Sequence, residues 1–89
     1  MKNVYITSAT RTAVGSLNKS LKNVQGFELG STVLKESMLR SNLNGADIDE
    51  VILGQVLTGG AGQNPARQAS LSSGIPKEKP AYIVNQVCG

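Results

Sequence analysis

The sequence predicts an α/β fold whose sheet is mixed but mainly parallel, and three observations predict it. Strand-like and helix-like segments alternate along the chain. Val51-Ile52-Leu53 is a continuous apolar run, and a later helix is punctuated by Asn64 and Pro65 at its start and Gly74 past its end. Alternating strands and helices of this length pack as parallel strands joined by right-handed crossovers.

The elements follow in order. Val4-Tyr5-Ile6-Thr7 is β-branched and aromatic and reads as a first strand. Gly15, Ser16, Asn18 and Ser20 mark a loop that stays polar to about Asn23. From Gln25 to Arg40 the pattern is helical: Leu29, Val33, Leu34 and Met38 lie on or beside one face, and Glu36 with Arg40 forms an i,i+4 ion pair. Gly30 weakens that helix relative to Ala, which points to a close approach by a neighbouring backbone. Asn42 to Gly45 carries the stop signals. An unbroken apolar run such as Val51-Ile52-Leu53 fits a strand covered by helices on both faces. The glycine-rich segment Thr58-Gly59-Gly60-Ala61-Gly62-Gln63 precedes the second helix, with Asn64 as N-cap and Pro65 at the first position. Ala66, Ala69, Ser70 and Ser73 give that helix one face of small residues, suited to close packing. Pro76 and Pro80 bracket a charged turn, and Tyr82-Ile83-Val84 is the third strand.

Composition narrows the function. The 89 residues make at most one small domain, and aromatic content of only 3% leaves Val, Ile, Leu and Ala to build its core. Net charge is +3, from nine Lys/Arg against six Asp/Glu. The basic residues are scattered from Lys2 to Lys79 rather than gathered with stacking aromatics, which argues against a nucleic-acid surface. No apolar run has the length of a membrane span, and no hydrophobic region follows Met1-Lys2 as in a signal peptide. A single cysteine fits a reducing compartment better than a disulfide framework, so a cytoplasmic protein is expected. No metal site is expected.

Two features carry candidate chemistry. The glycine loop has neither the Gly-Lys-Ser/Thr ending of a P-loop nor the dinucleotide fingerprint, so a structural loop is the preferred reading over a phosphate site. Arg67, on the first turn of a helix, reads as an ion-pair partner before an anion clamp. Cys88 lies just past the carboxyl end of a strand, where ligands gather in open parallel sheets. A helix starting after Gly89 would lower its pKa and offer N–H groups to an oxyanion. The residues alone leave two readings of Cys88 open: a nucleophile, or a small buried hydrophobe. With no histidine in the chain, the usual base for a thiol nucleophile is missing.

Four segments in sequence resemble the N-terminal part of thiolases. These are Arg11-Thr12-Ala13-Val14-Gly15, Glu50-Val51-Ile52-Leu53-Gly54-Gln55-Val56, Gly62-Gln63-Asn64-Pro65-Ala66-Arg67-Gln68-Ala69 and Asn85-Gln86-Val87-Cys88-Gly89. The resemblance runs from end to end and is closest to the acetyl-CoA acetyltransferase group. It implies the start of the first of two α/β/α halves, each with a five-stranded mixed sheet, so that residues 1–89 are a partial N-terminal domain laid out β-α-β-α-β and then a cysteine turn. It also implies that Cys88, which falls on the cysteine of the family's Asn-x-x-Cys-x-Ser-Gly motif, is the catalytic nucleophile. There it takes an acyl group from acyl-CoA as a thioester, and a second acetyl-CoA attacks it to give acetoacetyl-CoA and CoA. By the same resemblance the backbone N–H of Cys88 contributes to an oxyanion hole, Asn85 shapes the turn, and the full-length form is a homo-oligomer, dimer or tetramer.

Coenzyme A thioesters enter this reading as substrates, with no separate cofactor. The family's activating histidine, second cysteine and CoA-binding loop cannot be carried onto these residues, so the chain alone is expected to show no thiolase turnover. A longer-chain 3-ketoacyl-CoA thiolase is the alternative within the superfamily. A non-catalytic interaction fragment is the alternative if the 89 residues are the whole product.

Overall fold

The computed structural model describes residues 2–87. Its elements are α1 (Gly26–Arg40), a 3₁₀ turn (Gly45–Asp47), β1 (Val51–Gly54), α2 (Pro65–Ser72) and β2 (Ala81–Val84). The two strands pair in parallel, Val51 opposite Ala81 and Gly54 opposite Val84, so α2 is the crossover of a β-α-β unit. The α/β class and the parallel pairing expected from the alternation are both present.

Local chemistry sets each element's ends. At the start of α1 the Gln25 N–H donates to Glu28 Oε2 at 3.1 Å, and near its end Arg40 Nε donates to Glu36 Oε1 at 2.9 Å. That pair is solvent-exposed, and such i,i+4 pairs contribute only about 0.3–0.5 kcal/mol. Asn64 caps α2 from a left-handed backbone (φ +40°): its Oδ1 accepts from the Arg67 N–H at 3.2 Å, while its Nδ2 donates to the Ala81 carbonyl at 3.1 Å. One side chain thus starts the helix and ties it to the start of β2. Past α2, Gly74 at φ +92° lets its own N–H reach the Leu71 carbonyl and the Ile75 N–H reach that of Ser70, both at 3.1 Å. This paired closure satisfies two free carbonyls of the helix and drops Ile75 into the core.

The core is small. Met38, Val51, Ala66, Ile75 and Ala81 are buried, with Leu34, Ile48, Leu53 and Ile83 packed around them. The small-residue face of α2 is the hub: Ala66, Ala69 and Ser70 are fully buried and Ser73 nearly so. Gly30 of α1 sits over it, where a Cβ would lie 3.2 Å from Ala69 Cβ and 3.3 Å from Leu53 Cδ1. The close approach expected at Gly30 is therefore real, but it is made to side chains of α2 and β1 rather than to a backbone.

Two expectations are corrected. No strand forms at Val4-Tyr5-Ile6-Thr7; Val4 and Ile6 are 96% and 91% exposed, and among the described residues no backbone pairs with this segment. Side chains suited to a pleated surface become a strand only when an edge hydrogen-bonds to them, and this segment is held by its hydroxyls instead. The second correction concerns β1. Its residues alternate buried, exposed, half-buried, exposed, as do those of β2, and Ile52 is 50% exposed. Helices cover one face of the sheet among the described residues, so here two layers of the expected three are built.

Candidate functional site

Because β1 and β2 are parallel, their carboxyl ends meet at one edge of the sheet. The Gln55 N–H extends the ladder one residue beyond β1 by donating to the Val84 carbonyl at 3.0 Å. Beyond that bond the chains diverge: Val56 leads to the glycine loop, and Asn85 and Gln86 lead to Val87. Between them lies a cleft of about 300 Å³ lined by Gly54, Gln55, Val56, Val84, Gln86 and Val87. In open parallel sheets this edge is where ligands bind.

Val87 is the unusual residue of this edge. Its φ is +53°, in the left-handed region, while the other non-glycine residues there are asparagines, Asn18, Asn42 and Asn64. Asparagine enters that region readily, and a β-branched side chain does not. Such a conformation costs on the order of 1–3 kcal/mol and clusters where a site depends on it. The Val87 side chain is 74% exposed, so packing does not compensate. Cys88, the candidate nucleophile, lies outside the described residues; what the structure supplies is the strand end and the strained turn leading to it.

The other wall is the glycine loop. Gly60 and Gly62 have φ of +74° and +79°. Gln68 Nε2, reaching back from α2, donates to the Ala61 carbonyl at 3.0 Å and the Gln63 carbonyl at 2.9 Å. A Cβ on Gly62 would stand 3.0 Å from that nitrogen, so glycine there admits the Gln68 amide. The loop is thus built around a side-chain donor, in line with the structural reading preferred from sequence. A second cleft, about 230 Å³, runs between this loop and the start of α1, lined by Gln25, Gly26, Phe27, Gln55, Leu57, Gly59, Gly60 and Ala61. Gln55 stands in both clefts and fixes its amide by donating to the Leu57 carbonyl at 3.0 Å.

Arg67 takes neither role weighed for it. Its Nη1 donates to the carbonyls of Lys77 and Lys79, each at 2.8 Å, and so pins the charged turn between Pro76 and Pro80 to α2. That turn sets where β2 begins. Sequence reasoning missed the parts of Gln55, Gln68 and Arg67 because each bonds a backbone carbonyl, which no side-chain pattern records. Among the described residues no group of three or more His, Cys, Asp or Glu could hold a metal ion, and no helix is long and apolar enough to cross a membrane.

Comparison with known proteins gives one consistent result. Residues 4–89 match the family model described as the thiolase N-terminal domain. An acetyl-CoA acetyltransferase of Clostridioides difficile is 54% identical over 89 residues, covering all of this chain and 83% of that sequence. An acetyl-CoA acetyltransferase of Pseudomonas aeruginosa is 51% identical over 89 residues, and there the chain spans only 23% of the relative's length. A thiolase from Ascaris suum, solved in complex with coenzyme A, superposes with a TM-score of 0.95 at 45% identity, over 98% of this chain and 23% of that one.

Proposed function

This chain belongs to the thiolase family, and we propose that it is the opening segment of an acetyl-CoA acetyltransferase. The reaction is acyl transfer through a thioester on Cys88: two acetyl-CoA give acetoacetyl-CoA and CoA, or the reverse thiolysis. The observation that carries this reading is the position of Asn85-Gln86-Val87, the first residues of the family's cysteine motif. They leave β2 at the carboxyl edge of the parallel pair, beside the cleft shared with Gln55. Identity of about half over the whole chain with proteins named acetyl-CoA acetyltransferases supports the short-chain substrate.

The steps divide between this chain and the rest of an enzyme. Attack on a thioester carbonyl needs a thiolate, so a base must take the Cys88 proton; the chain has no histidine to do so. Carbon–carbon bond formation then needs a proton removed from the methyl carbon of a second acetyl-CoA, a step for which the resemblance carries over no residue of this chain. The sheet edge and the strained turn at Val87 lead the chain toward Cys88, and in this proposal the base, the carbon acid chemistry and the CoA contacts belong to further sequence. A cytoplasmic setting and assembly as a homo-oligomer complete the proposal. The lone cysteine supports the setting, and the assembly rests on the family resemblance alone.

A chimera tests it. Residues 1–89 replace the matching segment of the Pseudomonas aeruginosa relative, and acetoacetyl-CoA thiolysis is followed alongside longer 3-ketoacyl-CoA substrates. The expected result is turnover with a preference for acetoacetyl-CoA, lost in Cys88→Ala, and none from the 89-residue chain alone. A folded chimera without turnover, or one preferring long chains, contradicts the proposal.

A further inference from the structure

The first turn of α2 grips the chain as it approaches β2. Arg67 Nη1 carries two protons and gives one to the Lys77 carbonyl and one to the Lys79 carbonyl, each at 2.8 Å. Asn64 Nδ2 makes the third bond, to the Ala81 carbonyl at 3.1 Å. Asn64 Oδ1 also accepts from the Arg67 N–H at 3.2 Å, so the two gripping residues hold each other. The carbonyls they hold belong to every second residue from 77 to 81. The Pro80 carbonyl, between them, is taken instead by the Val51 N–H of β1 at 2.9 Å. The turn itself is closed by the Lys79 N–H on the Pro76 carbonyl at 3.1 Å.

On helical grounds a cation is a poor choice at this place. The positive end of the helix dipole disfavours it, and the first turn of α2 has no acidic residue to offset it. Nor does the helix need a guanidinium to start, since Asn64 and Pro65 already start it. What the guanidinium supplies is a double bond to the turn before β2. That strand needs such a guide because its own apolar pattern is short. It is four residues long, and its inward side chains are Ala81 and Ile83. A slip of one residue would turn every side chain to the opposite face. Downstream, the Val84 carbonyl accepts from the Gln55 N–H at 3.0 Å, and Asn85, Gln86 and Val87 lead from there toward Cys88. The register of β2 therefore decides where the cysteine motif leaves the sheet edge.

We propose that Arg67 is a positioning residue for acyl transfer. With Asn64 it clamps β2 in register on β1, and through β2 it sets where Asn85-Gln86-Val87-Cys88 leaves the sheet. Arg67 acts through the strand and not on a reacting atom. A remote change that displaces a reacting group by about 1 Å can cost about a hundredfold in rate. The part of Arg67 in catalysis rests on the acyl-transfer reading; the clamp rests on the bonds above and is read separately.

The chimera carrying residues 1–89 tests both, as the parent, Arg67→Met and Arg67→Lys. Met keeps an apolar stem and removes every donor, while Lys keeps the charge but has a shorter reach and no planar fork. For Arg67→Met the expected kcat of acetoacetyl-CoA thiolysis is about tenfold below the parent, with KM within about twofold. For Arg67→Lys the expected fall in kcat is about threefold. Hydrogen exchange followed by mass spectrometry reads the clamp without activity. The peptide holding the Val51 and Gln55 amides should exchange about tenfold faster in Arg67→Met, with the α1 peptide unchanged. Should Arg67→Met fail to fold, Arg67→Lys carries the same two readouts. Parent exchange rates in the variants overturn the clamp, and faster exchange at the parent kcat overturns the positioning role. A parent chimera without turnover contradicts the acyl-transfer reading instead, and the exchange rates still decide the clamp.

Discussion

Single atoms decide several positions in this small core, and two substitutions show it in opposite directions. A Cβ on Gly45 would fall on the Gly74 carbonyl oxygen and lie 3.0 Å from Ile75 Cα. These are backbone atoms of the closure that ends α2, and they cannot rotate away. Gly45→Ala is therefore expected to lower stability by about 3 kcal/mol, the upper range for overpacking, read as a fall in urea midpoint at constant slope. Ser70 is the reverse case. Its side chain is fully buried and its Oγ has no hydrogen-bond partner among the described residues. Ser70→Ala removes an unsatisfied hydroxyl and favours the helix, so stability should stay level or rise by about 1 kcal/mol in the same measurement. A clear loss would mean that the hydroxyl has a partner after all.

Among the elements, the β-α-β unit depends on side chains that serve two masters. Asn64 both caps α2 and holds the Ala81 carbonyl at the start of β2, from a backbone conformation that asparagine tolerates. Asn64→Ala loses the cap, the tie and the tolerance together, and should cost about 2 kcal/mol, seen by urea unfolding followed by circular dichroism. Both helices and the strands at Val51 and Tyr82 were legible in the sequence because their signals are local: a cap, a proline, a closing glycine, a run of apolar residues. The lack of a strand at Val4 was not, because a strand needs a partner edge and no local pattern states where that edge is. The hydroxyls that tie residues 8 and 10 to α1 did leave a trace, since Ser37 near its end and Ser41 just past it lie four apart and Ser8 and Thr10 alternate opposite them. Polar residues at helical spacing read equally well as a solvated face, so that trace alone could not separate the two.

For the molecule as a whole, the order of motifs identified the family, and the structure brings the segments that follow β1 and β2 to one sheet edge. The segment that leads to the proposed nucleophile was legible only in part. The strand end before Cys88 followed from the order of elements. The left-handed Val87 did not, since nothing in a valine announces a positive φ. Cys88 itself rests on sequence and on the family to which the chain belongs. Ile52, Tyr82 and Val84 stand exposed on the outer face of the sheet, and the chain has no histidine to serve as the base that the proposed reaction requires. The decisive measurement is intact and peptide-level mass spectrometry of the chimera after brief exposure to acetyl-CoA. One acetyl group carried as a thioester on Cys88, absent from Cys88→Ser, is the expected result. A folded chimera that stays unacetylated, or carries its acetyl group on another residue, would contradict the assignment of Cys88 as the acyl acceptor.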